Sequence, residues 1–266
     1  MHGLKKIFCI ISMFALFSCA NNATPSEPVD TKPYNVLFIG NSFTYYNSLD
    51  VLVEKIGKNI GINITTKSFT LGSHSLIEDT EDNDVLGKQI FADLAVNQYT
   101  DIVLQDKSNH PYNKYSEFKQ GVIGMKEKIE PLQDNARLHL YETWGYNSDT
   151  FLGPIPEMED TIRYNTRMVA KNQNMGVIYV GQAFTYVYEN YKDINLYHQD
   201  NRHPSYIGSY LAALIHVATL TGKHVRNVTY QGEYGVTNEY GQVTFVNEVT
   251  KGILIDVAEQ VVFGNK

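Results

Sequence analysis

Cysteine is almost absent from this chain of 266 residues: Cys9 and Cys19 are the only two, and both lie close to the N-terminus. Everything beyond residue 19 therefore folds without a disulfide, a thiolate metal site or a redox-active thiol pair. Basic residues are also scarce. There are 22 Lys and Arg against 29 Asp and Glu, a net charge of −7, and the basic residues form no stripe or run. That balance argues against nucleic acid as a partner. No apolar run is long enough to cross a bilayer, which takes roughly 17–25 residues; the longest, Ile7 to Ser18, falls short. Tryptophan occurs once, at Trp144, whereas tyrosine occurs 19 times. Exposed tyrosine suits flat sugar faces, but it is equally an ordinary strand residue. The length suffices for one domain with a full core, and there is no internal repeat.

The N-terminal residues stand apart from the fold. Lys5 and Lys6 precede the short apolar stretch, the layout of a secretory signal peptide. The stretch ends in Leu16-Phe17-Ser18-Cys19, which resembles the lipobox of bacterial lipoproteins. By that resemblance residues 1–18 are removed and Cys19 becomes the lipid-bearing first residue. An exported protein is then expected, touching the membrane through its lipid alone, on the periplasmic or cell-surface face. An ordinary secretory signal with an incidental cysteine is the plainer alternative. Ala20 to Lys32, rich in Asn, Thr, Pro and Ser, reads as a tether, so the expected organisation is a signal over 1–18, a tether over 19–33 and one domain over 34–266.

From Tyr34 onward, short apolar runs alternate with segments of helical spacing. Strands are expected over Asn35–Ile39, Asn63–Leu71, Asp101–Gln105, Leu138–Thr143, Gly176–Gly181 and, less regularly, Val225–Tyr230. Helices are expected over Leu49–Asn59, Val85–Val96, Glu117–Ile129, Met158–Asn172, Pro204–Leu220 and Asn247–Val262, with a turn-rich stretch at Gly232–Gly241. Leu49, Leu52, Val53 and Ile56 keep the i, i+3, i+4, i+7 pattern of a helix laid on a sheet. Such alternation implies right-handed βαβ units and a mostly parallel sheet, covered on both faces as a three-layer α/β/α sandwich.

In such sheets ligands sit where strands end. The strand ends here carry Ser42, then Gly72-Ser73-His74, Gln105-Asp106, Glu142-Thr143-Trp144 and Gly181-Gln182. A later loop, "DNRHPS", adds Asp200 and His203. A serine nucleophile needs an imidazole to take its proton and a carboxylate to hold that imidazole, and Ser42, His203 and Asp200 supply the three. Asp193 is a substitute for the carboxylate. The bland readings are a helix-capping Ser42 and a solvated loop at 200–203.

The constellation resembles the SGNH hydrolases, also called the GDSL esterase/lipase superfamily. The family's Gly-Asp-Ser block appears as Gly40-Asn41-Ser42, and its Asp-x-x-His block as Asp200-Asn201-Arg202-His203. The resemblance runs from about Tyr34 to Leu220 and implies a metal- and cofactor-free serine esterase of the SGNH, flavodoxin-like fold. It also implies an oxyanion hole from the Ser42 and Gly72 backbones and a third donor. The third block departs from the family: "DIVLQDKSNHP" stands where Gly-x-Asn-Asp is usual. Gln105 is the expected third donor, with Asn109 the alternative. His74, Asn109 and Trp144 are expected to line the substrate site, and an ester-bearing small molecule or glycan, an acetylated carbohydrate above all, is the expected substrate.

Two other readings are open. His198, Asp200 and His203 in "HQDNRH" suit a metal-dependent hydrolase. The altered third block suits a catalytically silent SGNH-like domain that binds glycan at the cell surface.

Overall fold

A computed structural model describes residues 32–148 and 153–264. The expected signal segment, Cys19 and most of the tether lie outside the described residues. The central sheet has five strands, β1 (Tyr34–Gly40), β2 (Ile64–Thr70), β3 (Asp101–Leu104), β4 (Arg137–Tyr141) and β7 (Gly176–Ile178), in the order β2-β1-β3-β4-β7. Every neighbouring pair is parallel. Two antiparallel ribbons stand outside it: β5 (Asn147–Ser148) with β6 (Gly153–Pro154), and β8 (Gly232–Thr237) with β9 (Val243–Phe245).

The run Val36–Ile39 is apolar throughout because both faces of its strand are covered. Val36 and Phe38 point into one core; Leu37 and Ile39 point into another on the opposite face. The first core is built from α2 (Leu49–Asn59), α8 (Val180–Asn190), α9 (Tyr206–Thr221) and α10 (Glu248–Phe263). The second is built from α4 (Val85–Leu94), α6 (Tyr115–Ile129) and part of α7 (Pro156–Gln173). The expected three-layer α/β/α sandwich is therefore the observed one. α9 is apolar on nearly all sides because it packs against α2, α8 and α10 as well as the sheet. Three short helices, α1 (Ser42–Tyr45), α3 (Leu76–Asp79) and α5 (His110–Asn113), lie in the loops that follow β1, β2 and β3. No helix among the described residues is long and apolar enough to cross a membrane.

Three expectations differ clearly from the structure. The fifth strand stops at Ile178 rather than Gly181, and α8 begins at Val180. There Gly181 N–H donates to the Glu142 carbonyl at 2.9 Å, and a Cβ on Gly181 would come within 2.1 Å of the Thr143 carbonyl oxygen. Contact with the end of β4, which no local pattern encodes, turns the chain. Val225–Tyr230 forms no strand. Side chains occupy its backbone: Glu259 accepts from Val225 N–H at 2.7 Å, and Asn59 accepts from Thr229 and Tyr230 N–H at 2.7 and 3.0 Å. Conversely, the turn-rich 232–241 contains β8 and the start of a hairpin.

The topology places a crevice. From β1 the chain goes to one side for β2 and returns to the other for β3, so the loops after β1 and β3 diverge at their carboxyl ends. Ser42 is the second residue past β1.

Candidate active site

Gly40 closes β1 because nothing larger fits: a Cβ there would lie 2.7 Å from Gln105 Oε1 and 2.8 Å from Thr44 Oγ1. Asn41 then caps α1, its Oδ1 accepting from Phe43 N–H at 3.3 Å, and Ser42 follows as the first helical residue, half-buried. Ser42 is thus presented on the helix rather than capping it.

His203 comes from 161 residues away, on the loop before α9. Ser42 Oγ and His203 Nε2 are 2.8 Å apart, and His203 Nδ1 lies 2.5 Å from Asp200 Oδ2. With Nδ1–H donating to the carboxylate, Nε2 is left to accept the serine proton. The other carboxylate oxygen of Asp200 accepts from the backbone N–H of Arg202 and of His203, each at 3.0 Å. Asn201, in the left-handed region at φ +60°, makes that tight turn. Partial burial opposes ionisation of Asp200, but the His203 side chain and the two N–H bonds outweigh it and hold the carboxyl at about 2. Asp193 is exposed; the contact with His203 belongs to Asp200.

The loop after β2 is pinned on both sides of Gly72: Leu71 N–H donates to the Gly40 carbonyl at 3.2 Å, and the Asn41 amide donates to the His74 carbonyl at 3.0 Å. Among the described residues, neither the Ser42 nor the Gly72 N–H has a hydrogen-bond partner.

Gln105 is placed otherwise than expected of an oxyanion donor. It is 1% exposed, and both amide hydrogens are spent, one on Asn41 Oδ1 at 2.9 Å and one on the Asp106 carbonyl. Its Oε1 accepts from Asn41 N–H at 3.0 Å and from Thr44 Oγ1 at 2.9 Å. Gln105 therefore ties β3 to the loop after β1. Asn109, half-buried, makes no side-chain hydrogen bond among the described residues.

Trp144 is also a correction. It is fully buried, sandwiched between Phe43 at 4.6 Å and Phe184 at 4.0 Å, so it offers no face to a substrate. Its Nε1–H donates to the Arg202 carbonyl at 3.0 Å, which steadies the loop carrying Asp200 and His203. The His74 ring faces Asp79 and Asp84, with Nε2 at 3.3 Å from each. Glu142 is buried in a two-pronged pair with Arg167, at 2.6 and 3.0 Å. His198 Nδ1 lies 3.6 Å from the Asp200 oxygen that holds His203. Since both His203 nitrogens face Ser42 and Asp200, the 198–203 loop presents a relay rather than a metal cage.

Three further residues meet at the site without a motif in the sequence to mark them. Tyr46, one turn after Ser42, stacks on His203 at 4.1 Å and 7°. Tyr240, in the hairpin loop, stacks on Tyr46 at 3.9 Å and 6°. Asn47, buried at φ +56°, donates to Ser209 Oγ at 2.8 Å and the Pro204 carbonyl at 3.3 Å, and accepts from Asn238. Tyr46 and Asn47 carried one signal, their closeness to Ser42; Tyr240 carried none.

Fold and geometry together describe a three-layer α/β/α protein with Ser42, His203 and Asp200 in hydrogen-bond contact at the switch point of its sheet. No family model matches the sequence, and no curated protein matches it either. Solved structures do resemble it. A DUF4886 family protein from Bacteroides uniformis superposes with TM-score 0.73 at 18% identity, covering 88% of this chain and 97% of that one. A protein assigned to the SGNH hydrolases from Slackia heliotrinireducens gives 0.60 at 22%, covering 71% and 100%. The lipase/acylhydrolase from Enterococcus faecalis gives 0.53 at 14%, covering 71% and 96%. At these identities the likeness is one of fold: the chain has the SGNH hydrolase fold.

Proposed function

We propose that this protein is a serine esterase that removes acyl groups, acetyl above all, from carbohydrate. The observation that carries the reading is the unbroken relay from Ser42 Oγ through His203 to Asp200, at 2.8 and 2.5 Å. His203 Nε2 takes the Ser42 proton as Oγ attacks the ester carbonyl, and Asp200 supports the imidazolium that forms. The developing oxyanion accepts from the Ser42 and Gly72 N–H groups, with Asn109 supplying the side-chain amide in place of Gln105. His203 returns its proton to the leaving alcohol. Water, deprotonated in turn by His203, attacks the acyl carbon; the Oγ–acyl bond breaks, the acid leaves, and His203 returns the proton to Ser42 Oγ.

The carbohydrate part of the reading is supported by the surroundings. Two grooves of about 430 and 340 Å³ flank Tyr240, whose ring continues the stack from His203 through Tyr46. Aromatic faces beside polar Asn and Gln side chains suit a sugar ring. In this reading the lipobox-like Cys19 holds the enzyme at a membrane surface.

The test compares wild type, Ser42→Ala and Asn109→Ala on a small acetyl ester. Ser42→Ala is expected to lose on the order of 10⁶ in turnover, and Asn109→Ala about 10²–10³. Activity that persists in Ser42→Ala would sink the mechanism. Glycan binding by a wild type with no turnover would favour the silent surface binder instead.

A further inference from the structure

The loop from Gly72 to Asp84 gathers charge that the relay does not use. His74 Nε2 stands 3.3 Å from Asp79 Oδ1 and 3.3 Å from Asp84 Oδ1, and the three donor atoms lie within 4.8 Å of one another. One imidazole nitrogen carries at most one hydrogen, so it cannot satisfy two carboxylate oxygens. Asp79 is 2% exposed, its Oδ1 has no hydrogen-bond partner among the described residues, and neither does His74 Nε2. Buried groups left in that state are costly unless a proton or a cation joins them. Among the described residues, the basic side chains within salt-bridge reach of Asp79, Asp84 and nearby Asp106 are histidines alone, His74 and His110, with no Lys or Arg.

The backbone holds the cluster together independently of any ligand. Gly87 lets α4 close on α3, since a Cβ there would lie 2.1 Å from the Asp79 carbonyl oxygen. Asp84 caps α4 with Oδ2, accepting from Gly87 N–H at 2.6 Å, which leaves Oδ1 turned toward His74. Ser75 and Glu78 form a capping box that starts α3 and fixes the side on which Asp79 emerges.

We propose that His74, Asp79 and Asp84 form a binding site for one divalent transition-metal ion of the Zn²⁺ class, distinct from the Ser42 relay. A tetrahedral Zn²⁺ with N and O ligands at about 2.0–2.1 Å holds its donor atoms roughly 3.3 Å apart, which matches both His74 separations. One imidazole with two carboxylates suits such an ion better than Ca²⁺, which takes six or more oxygens. The fourth position falls to water. Because the His74 carbonyl also accepts from Asn41, the ion braces the loop that carries Gly72.

The test reads binding, so its outcome is separate from that of the esterase reading. Purified, untagged protein is stripped with chelator, dialysed and titrated with Zn²⁺ by calorimetry, with thermal melts alongside. The expected result is one equivalent bound and a raised melting midpoint. Asp84→Asn retains the helix cap, since Asn caps as well as Asp, and is expected to weaken binding at least about 100-fold; His74→Ala is expected to do the same. The exposed Asp82→Asn leaves binding unchanged. No equivalent bound by wild type at tens of micromolar Zn²⁺, or equal binding in His74→Ala and Asp84→Asn, overturns the site.

Discussion

Asn41 donates its two amide hydrogens to carbonyls of two different loops, His74 at 3.0 Å and Asp106 at 3.2 Å, while its oxygen accepts from Phe43 N–H and Gln105. Aspartate, the usual residue of the family block, has no hydrogens to give when ionised. The two departures from the family pattern, Asn41 and Gln105, are therefore one device: the Gln105 amide donates to Asn41 Oδ1 and its Oε1 accepts from the Asn41 backbone N–H, and together they hold the loops after β1, β2 and β3 in register. Restoring the usual block with Asn41→Asp is expected to destabilise the fold by about 1–3 kcal/mol, because a buried carboxylate would then face two carbonyl oxygens. Urea denaturation checks this, and an unchanged midpoint would remove Asn41 from the role. The pairing also explains why neither residue is legible singly: both have ordinary amide chemistry, and a separation of 64 positions hides the contact.

At the scale of elements, the relay is held by pieces that share no local sequence pattern. Trp144, after β4, grips the 200–203 loop through the Arg202 carbonyl; Phe43 on α1 stacks beneath it; Phe184 on α8 stacks above. The hairpin β8–β9 is joined to the segment after Ser42 by the Asn238–Asn47 bond and the Tyr240–Tyr46 stack. For the proposed esterase, a hairpin so placed would extend the site toward a substrate larger than an acetyl group. Tyr240→Ala is expected to lower kcat/KM for an acetylated oligosaccharide about 10-fold more than for a small acetyl ester, the worth of one aromatic stack. Equal losses on both substrates would assign Tyr240 to positioning His203 through Tyr46, with no share in sugar binding.

For the whole molecule, the cost of burying histidine sets an acid limit. His216 on α9 is fully buried against Phe38 at 5.5 Å and Tyr141 at 4.7 Å, donating from Nδ1 to the Ala212 carbonyl at 2.7 Å. Burial drives its pKa down to about 4; the Ala212 bond works against that shift, and the charge of nearby His139 adds to it. The unfolded chain, with an imidazole near 6.5, binds the extra proton first as the pH falls. The contribution of His216 is then full above about pH 6.5 and is lost toward pH 4, by roughly 3 kcal/mol in all. Asp200 adds a loss in the same direction, below the range of an ordinary carboxyl and down to about pH 2. His216→Leu is expected to flatten the melting midpoint between pH 6.5 and 4.5. An undiminished slope in that variant would place the acid sensitivity elsewhere.

The sequence alone determined the layers and the parallel sheet, and it singled out Ser42, Asp200 and His203, which the fold brings into hydrogen-bond contact. Apolar runs of strand length and helices of 3.6 periodicity are local signals, and Leu49–Asn59 was legible to the residue. Ser42 and the Asp200–His203 pair were legible because each sits in a short motif whose position at a strand or helix end the same periodicity locates. Only the tertiary structure decided what the neighbouring polar and aromatic residues do. Whether Gln105 donates to an oxyanion or to a backbone carbonyl, whether Trp144 meets a sugar or two phenylalanines, and whether His74 faces the site or two aspartates all depend on side chains brought in by distant segments. Burial and hydrogen-bond pairing belong to the packed molecule. A residue's chemistry is written in the sequence, but its partner is chosen by the fold.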